Sequence, residues 1–552
     1  MAQEPDSDYH IIKYNASGDM LWSVSYDGGL WDYAYKVAVD RQNDIVVTGM
    51  SEIWHDYNEN GEQDEGEINH DYYTVKYNAD GVEQWHALYD SKGRDEAFAV
   101  TVDSKGNVIV GGRSHNGNDY DYSIIKYNPQ GTELWAEPLI YDGGDNDGVN
   151  SVAVDSQDNI IVTGYSTRRT LAYCTIKYSP EGGIIDGWPV FFDREFSDAA
   201  LEVVVEGGSD SILVTGTVGI WHDGDADGDQ DREEMTSDFL TIKYSHLGHE
   251  VWAEPLMHNI GPNRTSDTAF GLALNGNGDV IVTGSYFTLA KDEVFPKWFL
   301  YATLKYDTDG NLIEGWPVIY DSGNGEQVYD VAVDLRDDSI IVTGKAFDGK
   351  TWNYYTIKYR SNGEEQWHST YDAGQWDSAK SVAVDSEGNI TVAGSSQEPH
   401  DSTVPKAAIE YNPSSFTFSA IEGAESPAGQ LLYVWNSGGD VLNWSIDGSV
   451  PWLVLDPTRG SSTGERNMVG ISVDISGMSA GDYTTTIAVA TRESPDVIKE
   501  IPIQLYISAL QNDNNDTLGS ITGIFLGSLA IAGVTIIFFA RKRLRRNRDS
   551  SV

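Results

Sequence analysis

Two stretches of the sequence place carboxylates and amides at the alternating spacing that a hard cation requires. The first is DYNENGEQDEGE, Asp56 to Glu67; the second is DGDADGDQDREE, Asp223 to Glu234. Both begin at the aspartate of an IWHD tetrapeptide. Calcium takes six to eight oxygen ligands, and a twelve-position loop can turn alternate side chains inward to supply them. In the first stretch Asp56, Asn58 and Asn60 hold positions one, three and five. Gly61 makes the sharp turn, Glu62 offers its backbone carbonyl, and Asp64 and Glu67 hold positions nine and twelve. Asp223, Asp225, Asp227, Gly228, Asp229, Asp231 and Glu234 repeat that pattern. The expected cofactor is Ca2+, stiffening two long loops. The flanks show no helical period, and position eight, usually apolar, is Gln63 or Gln230. Both features argue against a paired-loop sensor.

Other residues carry weaker chemistry. His55 and His222 precede the acidic stretches at identical places; they either add a ligand or pack with Trp54 and Trp221 at the loop base. Trp31 and Trp376 lie in the connecting segments GGLWD and AGQWD, where binding residues concentrate, and are the candidate ligand surface. Seven further tryptophans, from Trp22 to Trp367, recur once per repeat and suit packing between units. The single cysteine, Cys174, excludes an intrachain disulfide and reads as a small core residue. No GxSxG, HExxH, phosphate-binding loop or dinucleotide fingerprint is present. Carboxylates are abundant enough for an acid/base pair, but most aspartates sit in turns such as VAVD and YDGG, where they cap backbone.

The elements that hold these residues recur. A lysine-tyrosine strand ends at Tyr14, Tyr77, Tyr127, Tyr178, Tyr244, Tyr306 and Tyr359, with a last variant, AAIEY, ending at Tyr411. Between consecutive copies come a turn such as NADG, a tryptophan strand, a YDGG linker, a VAVD strand and a VTG strand. Seven full sets of four short strands result, rich in Val, Ile, Tyr and Thr. A lone four-stranded sheet cannot bury both faces; radial stacking does so and leaves only short edges. The period of roughly fifty residues matches propeller blades. In such a ring the loop between second and third strands shares a face with the connection between blades. The acidic stretches, Trp31 and Trp376 are therefore expected on one acidic, aromatic face.

The pattern IKYN–G–W–YDGG–D–A–VAVD–GNI–VTG resembles the SBBP-type β-propeller repeat of bacterial and archaeal surface proteins, over about residues 8 to 411. The resemblance implies a seven-bladed β-propeller and no particular activity. Eight lysine-tyrosine strands are one too many for seven blades. One expectation is that the Trp22 strand completes the last sheet beside the strand ending at Tyr411, leaving Tyr9 to Tyr14 surplus. The alternative is a truncated eighth repeat.

Beyond the propeller, residues 1–412, the pattern changes. Residues 413–509 read as a β-sandwich, and NSGGDVLNW, WLVLDPTRG, AGDYTTTI and IPIQLYI resemble the BACON-type immunoglobulin-like domain. A polar linker, 510–517, leads to Leu518–Ala540, an uncharged apolar run of membrane-spanning length. The basic tail RKRLRRNR within 541–552 follows at once and places that end in the cytoplasm and all before it outside. Gly519, Gly523 and Gly527 share one face of the span, a seam through which a homodimer could form. Met1 to Tyr14 holds no export signal and starts in mid-repeat, so a start further upstream is expected.

A formal charge of −50 repels phosphate backbones, so no nucleic-acid partner is expected. The fold class is all-β: a seven-bladed β-propeller, an immunoglobulin-like β-sandwich and one C-terminal transmembrane helix. The expected function is a single-pass cell-surface binding or adhesion protein with a carbohydrate or protein ligand. The alternatives are a surface-anchored enzyme acting on polysaccharide or peptide, and a structural envelope protein.

Overall fold

The computed structural model describes residues 7–28, 30–55, 57, 67–194, 196–221, 235–260, 265–288, 297–397, 409–436, 442–448, 450–462, 466–491 and 498–509. All regular structure among them is β. Seven four-stranded antiparallel units form among the described residues, the fourth and fifth joined by a single parallel bridge between Ser237 and Ser266, and they are numbered here as sheets by the strand that opens each. Sheet I opens on Asp32–Val39, II on Asp95–Val102, III on Asp147–Val154, IV on Ala199–Glu206, V on Thr265–Leu274, VI on Glu326–Asp334 and VII on Asp377–Val384. These opening strands touch one another in cyclic order, I to VII and back to I, so they line a common axis. This is a β-propeller arrangement.

Several of the repeated residues hold the ring together through identifiable partners. In most sheets the motif lysine of the third strand is buried against an acid at the end of the opening strand or just beyond it. Lys76 meets Asp40 at 2.7 Å, Lys126 meets Asp103 at 3.0 Å, Lys177 meets Asp155 at 2.8 Å and Lys13 meets Asp385 at 3.1 Å. The tryptophans reach across to the next sheet's hairpin. The indole N–H of Trp22 donates to Ala79 O (3.1 Å), Trp85 to Pro129 O (3.0 Å) and Trp367 to Ala16 O (3.1 Å). Third-strand tyrosines do the same at the core. Tyr72 donates to Ser123 O (3.1 Å) and Tyr122 to Cys174 O (3.0 Å). Each hydroxyl is buried and satisfied by the neighbouring sheet, so the sheets interlock by directional bonds as well as apolar packing. Cys174 is buried, and burial pushes its thiol up to about 12.

Ring closure corrects the sequence expectation. Sheet VII is completed by Asp8–Tyr14, which pairs with Ile390–Ser396, and by Met20–Tyr26 outside it. Tyr354 of sheet VI donates to His10 O (3.0 Å), and Tyr9 to Tyr73 O of sheet I (3.0 Å), so Asp8–Tyr14 occupies the interlocking position of a third strand. The surplus copy is the other one. Ile409–Asn412, the end of AAIEY, pairs with Gln430–Asn436 in a different sheet. That copy has Glu410 in place of the motif lysine, so it cannot supply the buried cation that Asp385 requires.

The described residues between 409 and 509 form two sheets around one apolar core that includes Phe416, Leu432, Trp444, Val469, Ile487 and Ile503. Trp444 is buried there and its indole donates to Asn467 (2.7 Å). No helix among the described residues is long and apolar enough to cross a membrane, and the span expected at 518–540 lies outside them.

Candidate functional site: the connecting face and the axial mouth

A fully buried acid stands at or beside the start of each opening strand: Asp32, Asp95, Asp147, Asp198, Asp267, Glu326 and Asp377. In most sheets it accepts the backbone N–H four residues before it, as Asp95 does from Ser91 (2.7 Å) and Asp377 from Ala373 (2.8 Å). The YDGG linker is thus pinned to the strand it leads into. Burial pushes the carboxyls of Asp95, Asp147, Asp198, Glu326 and Asp377 up, Asp377 to about 6.

Three residues further on, every opening strand carries a β-bulge. The bulged residues are Tyr35, Phe98, Asn150, Leu201, Phe270, Tyr329 and Lys380, followed by Lys36, Ala99, Ser151, Glu202, Gly271, Asp330 and Ser381. The VTG glycine opposite has no alternative. A Cβ at Gly112 would overlap the Glu96 carbonyl oxygen and lie 2.6 Å from the Tyr72 hydroxyl. The backbone at this level repeats seven times; the side chains do not.

The second set of positions closes the axis. Lys36 Nζ reaches Glu202 (2.6 Å) and Asp330 (3.2 Å) from sheet I to sheets IV and VI. Ser151 donates to Glu202 (2.6 Å) and Ser381 to Asp330 (2.6 Å). Burial disfavours the ammonium, but the two carboxylates outweigh it and hold Lys36 above the usual lysine range. Ala99 and Gly271 leave room for the long side chains. A buried, fully bonded charge cluster adds little net stability, yet losing one partner is costly.

The first set forms a mouth on the connecting face. An aromatic ladder descends from exposed Trp31 through Tyr33 (ring centroids 5.9 Å apart) and Tyr35 (6.3 Å) to Phe98 (5.0 Å). Arg113 lies over Phe98 and is paired with Glu96. Across the mouth Phe270 meets Tyr329 edge-on at 5.6 Å, and Lys380 sits 3.8 Å above the Tyr329 ring. Lys345 lies 4.7 Å above Trp352. No described carboxylate is close enough to offset the burial of these two lysines, which lowers both, Lys380 to about 7 with Lys345 contributing. The Tyr329 ring face works against that lowering, because it attracts the charged form. In a chain of charge −50, two adjacent half-buried lysines without an acid are an exception.

The sequence-stretch residues distribute as follows. Trp31 and Trp376 are exposed in adjacent connections, and their carbonyls accept from Glu52 N (2.9 Å) and Gln397 N (3.0 Å). Asp56, Asn58, Asn60, Glu62 and Asp64 lie outside the described residues, as do Asp223, Asp225, Asp227, Asp229, Asp231, Glu234 and His222. Glu67 is described and buried, accepting from the Trp54 indole at 3.2 Å. His55 bonds Asp71 (2.7 Å) and stacks on Tyr57. Asp71 is pushed up to about 7, because burial exceeds the effect of His55. The base of the first acidic stretch, its linker and Trp31 therefore adjoin. Sequence reading missed the bulge positions. Stacking the seven VAVD strands and marking where the repeat fails would have found them.

No protein-family model matches the chain. A curated relative is an uncharacterized WD repeat-containing protein of Acanthamoeba polyphaga mimivirus, 22% identical over 459 residues. That match covers 70% of this chain and 31% of the relative, so the chain spans about a third of that protein's length. The chain is a β-propeller repeat protein. Similar solved structures include a periplasmic gluconolactonase of Pseudomonas aeruginosa (10% identity, TM-score 0.40, 70% of this chain and 99% of that one). Another is an α-L-arabinanase of Penicillium chrysogenum complexed with arabinobiose (9% identity, TM-score 0.35, 54% and 92%).

Proposed function

We propose that this chain is a non-catalytic cell-surface binding protein whose axial mouth takes an anionic ligand, an acidic saccharide first among them. The observation that carries this reading is the pair Lys345 and Lys380, set on Tyr329 and Trp352 with no described acid to neutralise them. A carboxylate or sulfate would supply the missing charge, and the ladder from Trp31 to Phe98 offers flat faces on which sugar rings stack. The Lys36 cluster closes the axis below, so the mouth is a cup.

On this reading the propeller has seven blades, residues 413–509 are an immunoglobulin-like spacer of the BACON kind, and Leu518–Ala540 anchors the chain with its basic tail in the cytoplasm. Ca2+ in the two acidic stretches would stiffen loops on the ligand's side. The axial cluster by itself would also serve a structural envelope protein.

A glycan array probed with the full chain in detergent, with and without calcium, tests the proposal. Acidic glycans should be retained, and Lys345→Ala with Lys380→Ala should weaken binding at least about tenfold, the worth of one charge-assisted contact. Equal retention of neutral and acidic glycans, or no effect of the double substitution, would overturn it. Turnover of a bound polysaccharide would favour the enzyme reading.

A further inference from the structure

The linker of sheet III holds a feature that neither the fold nor the mouth explains. Asp121, on the third strand of sheet II, faces Asp142 of the YDGG linker and Asp147, the buried opening acid of sheet III. One oxygen from each lies within 4.8 Å of the other two. Each carboxylate has its second oxygen engaged. Asn116 donates to Asp121 Oδ2 (2.8 Å), Gly144 N to Asp142 Oδ1 (2.7 Å) and Gly143 N to Asp147 Oδ2 (2.5 Å). Asp121 Oδ1 remains without a hydrogen-bond partner, although the residue is 5% exposed, while Asp147, 0% exposed, also meets the Ser166 hydroxyl. A buried carboxylate oxygen with no donor is costly, and one facing two further acids is costlier still. Burial first, and then the other acids, push both carboxyls above their usual range.

We propose that Asp121, Asp142 and Asp147 form a Ca2+ site that clamps sheet II to the linker entering sheet III. Three oxygens within 4.8 Å of one another can share a cation at the calcium–oxygen distance of about 2.4 Å once the widest separations close slightly. Access is open: Asp121, Asn116 and His115 line a cleft of about 400 Å³ on the connecting face. The same three repeat positions hold Asp8, Asp27 and Asp32 beside sheet I. Beside sheet IV the first of them is Ala172, so Asp193 and Asp198 lack the third ligand. The site is independent of the two acidic stretches and of the mouth.

The test uses the full chain stripped of metal, with Asp56→Asn and Asp223→Asn removing the first ligand of each acidic stretch. Calorimetric titration with CaCl2 should still show saturable binding. Adding Asp142→Asn, at an exposed position, should lower the stoichiometry by one and reduce the calcium-induced rise in melting temperature. Asp193→Asn should change neither. Two results would overturn the proposal: loss of all calcium binding with the acidic stretches disabled, or an isotherm that Asp142→Asn leaves unchanged. Asp121→Asn provides a second variant with the same expected loss, and circular dichroism reports whether each variant folds.

Discussion

Deleting residues 7–26 would remove the two strands that complete sheet VII. Asp8–Tyr14 pairs along its whole length with Ile390–Ser396 and buries Tyr9, Ile11, Ile12 and Tyr14 almost completely. Each such side chain withdrawn from the core costs about 1.5–3 kcal/mol, so the four together cost about 6–12 kcal/mol. That equals the whole stability of an ordinary domain, about 5–15 kcal/mol. The deletion also strips Asp385 of Lys13 and leaves the Tyr354 hydroxyl without His10 O. The truncated chain should therefore be unfolded, or melt more than about 10 °C lower by differential scanning calorimetry. A synthetic peptide of residues 7–26 added in trans should restore the transition. The lighter substitution Tyr354→Phe should cost about 1–2 kcal/mol. An unchanged melting temperature in the deletion would refute the closure described here and would mean that the AAIEY strand can fill the gap.

Three further outcomes can be checked. Gly112→Ala places a methyl on the Glu96 carbonyl opposite the bulge and should cost about 2–4 kcal/mol in urea denaturation, whereas Gly117→Ala, with open space around it, should cost less. Lys36→Met leaves Glu202 and Asp330 buried without their cation and should destabilise by about 3–5 kcal/mol; adding Glu202→Gln and Asp330→Asn should recover much of that loss. Asp377 has its folded pKa raised to about 6 from an unfolded value near 3.8, so the folded state binds the proton more tightly. Its contribution, up to about 3 kcal/mol, is present below pH 4 and lost as pH rises through 6; Asp377→Asn should flatten that part of the stability–pH curve.

The sequence made the repeat legible because each copy restates the same local instructions. Val-Ile-Tyr strands, Gly and Asn turns and a fixed tryptophan say where strands begin and end. What they leave unsaid is which partner each residue meets, because those partners lie one repeat away. The motif lysine reads as a spacing marker until Lys76 is seen against Asp40. The surplus strand was assigned to the wrong end for the same reason. HIIKY and AAIEY look alike in pattern, and Glu410 in place of the lysine is the difference that decides between them. The mouth was illegible for another reason. Tyr35, Phe98, Tyr329 and Lys380 sit at bulges, and a bulge disturbs the period-two alternation by which strand faces are read.

The chain that begins sheet VII is also the first of these strands to leave the ribosome, and its partner at Ile390–Ser396 follows nearly four hundred residues later. During synthesis Asp8–Tyr14 can pair at once with Met20–Tyr26, but its other backbone edge would wait unsatisfied while six sheets assemble behind it. Such long-range pairing is slow and offers a sticky edge to other chains. Yield in a cell should therefore track holdase capacity during that interval more closely than the final stability of the ring.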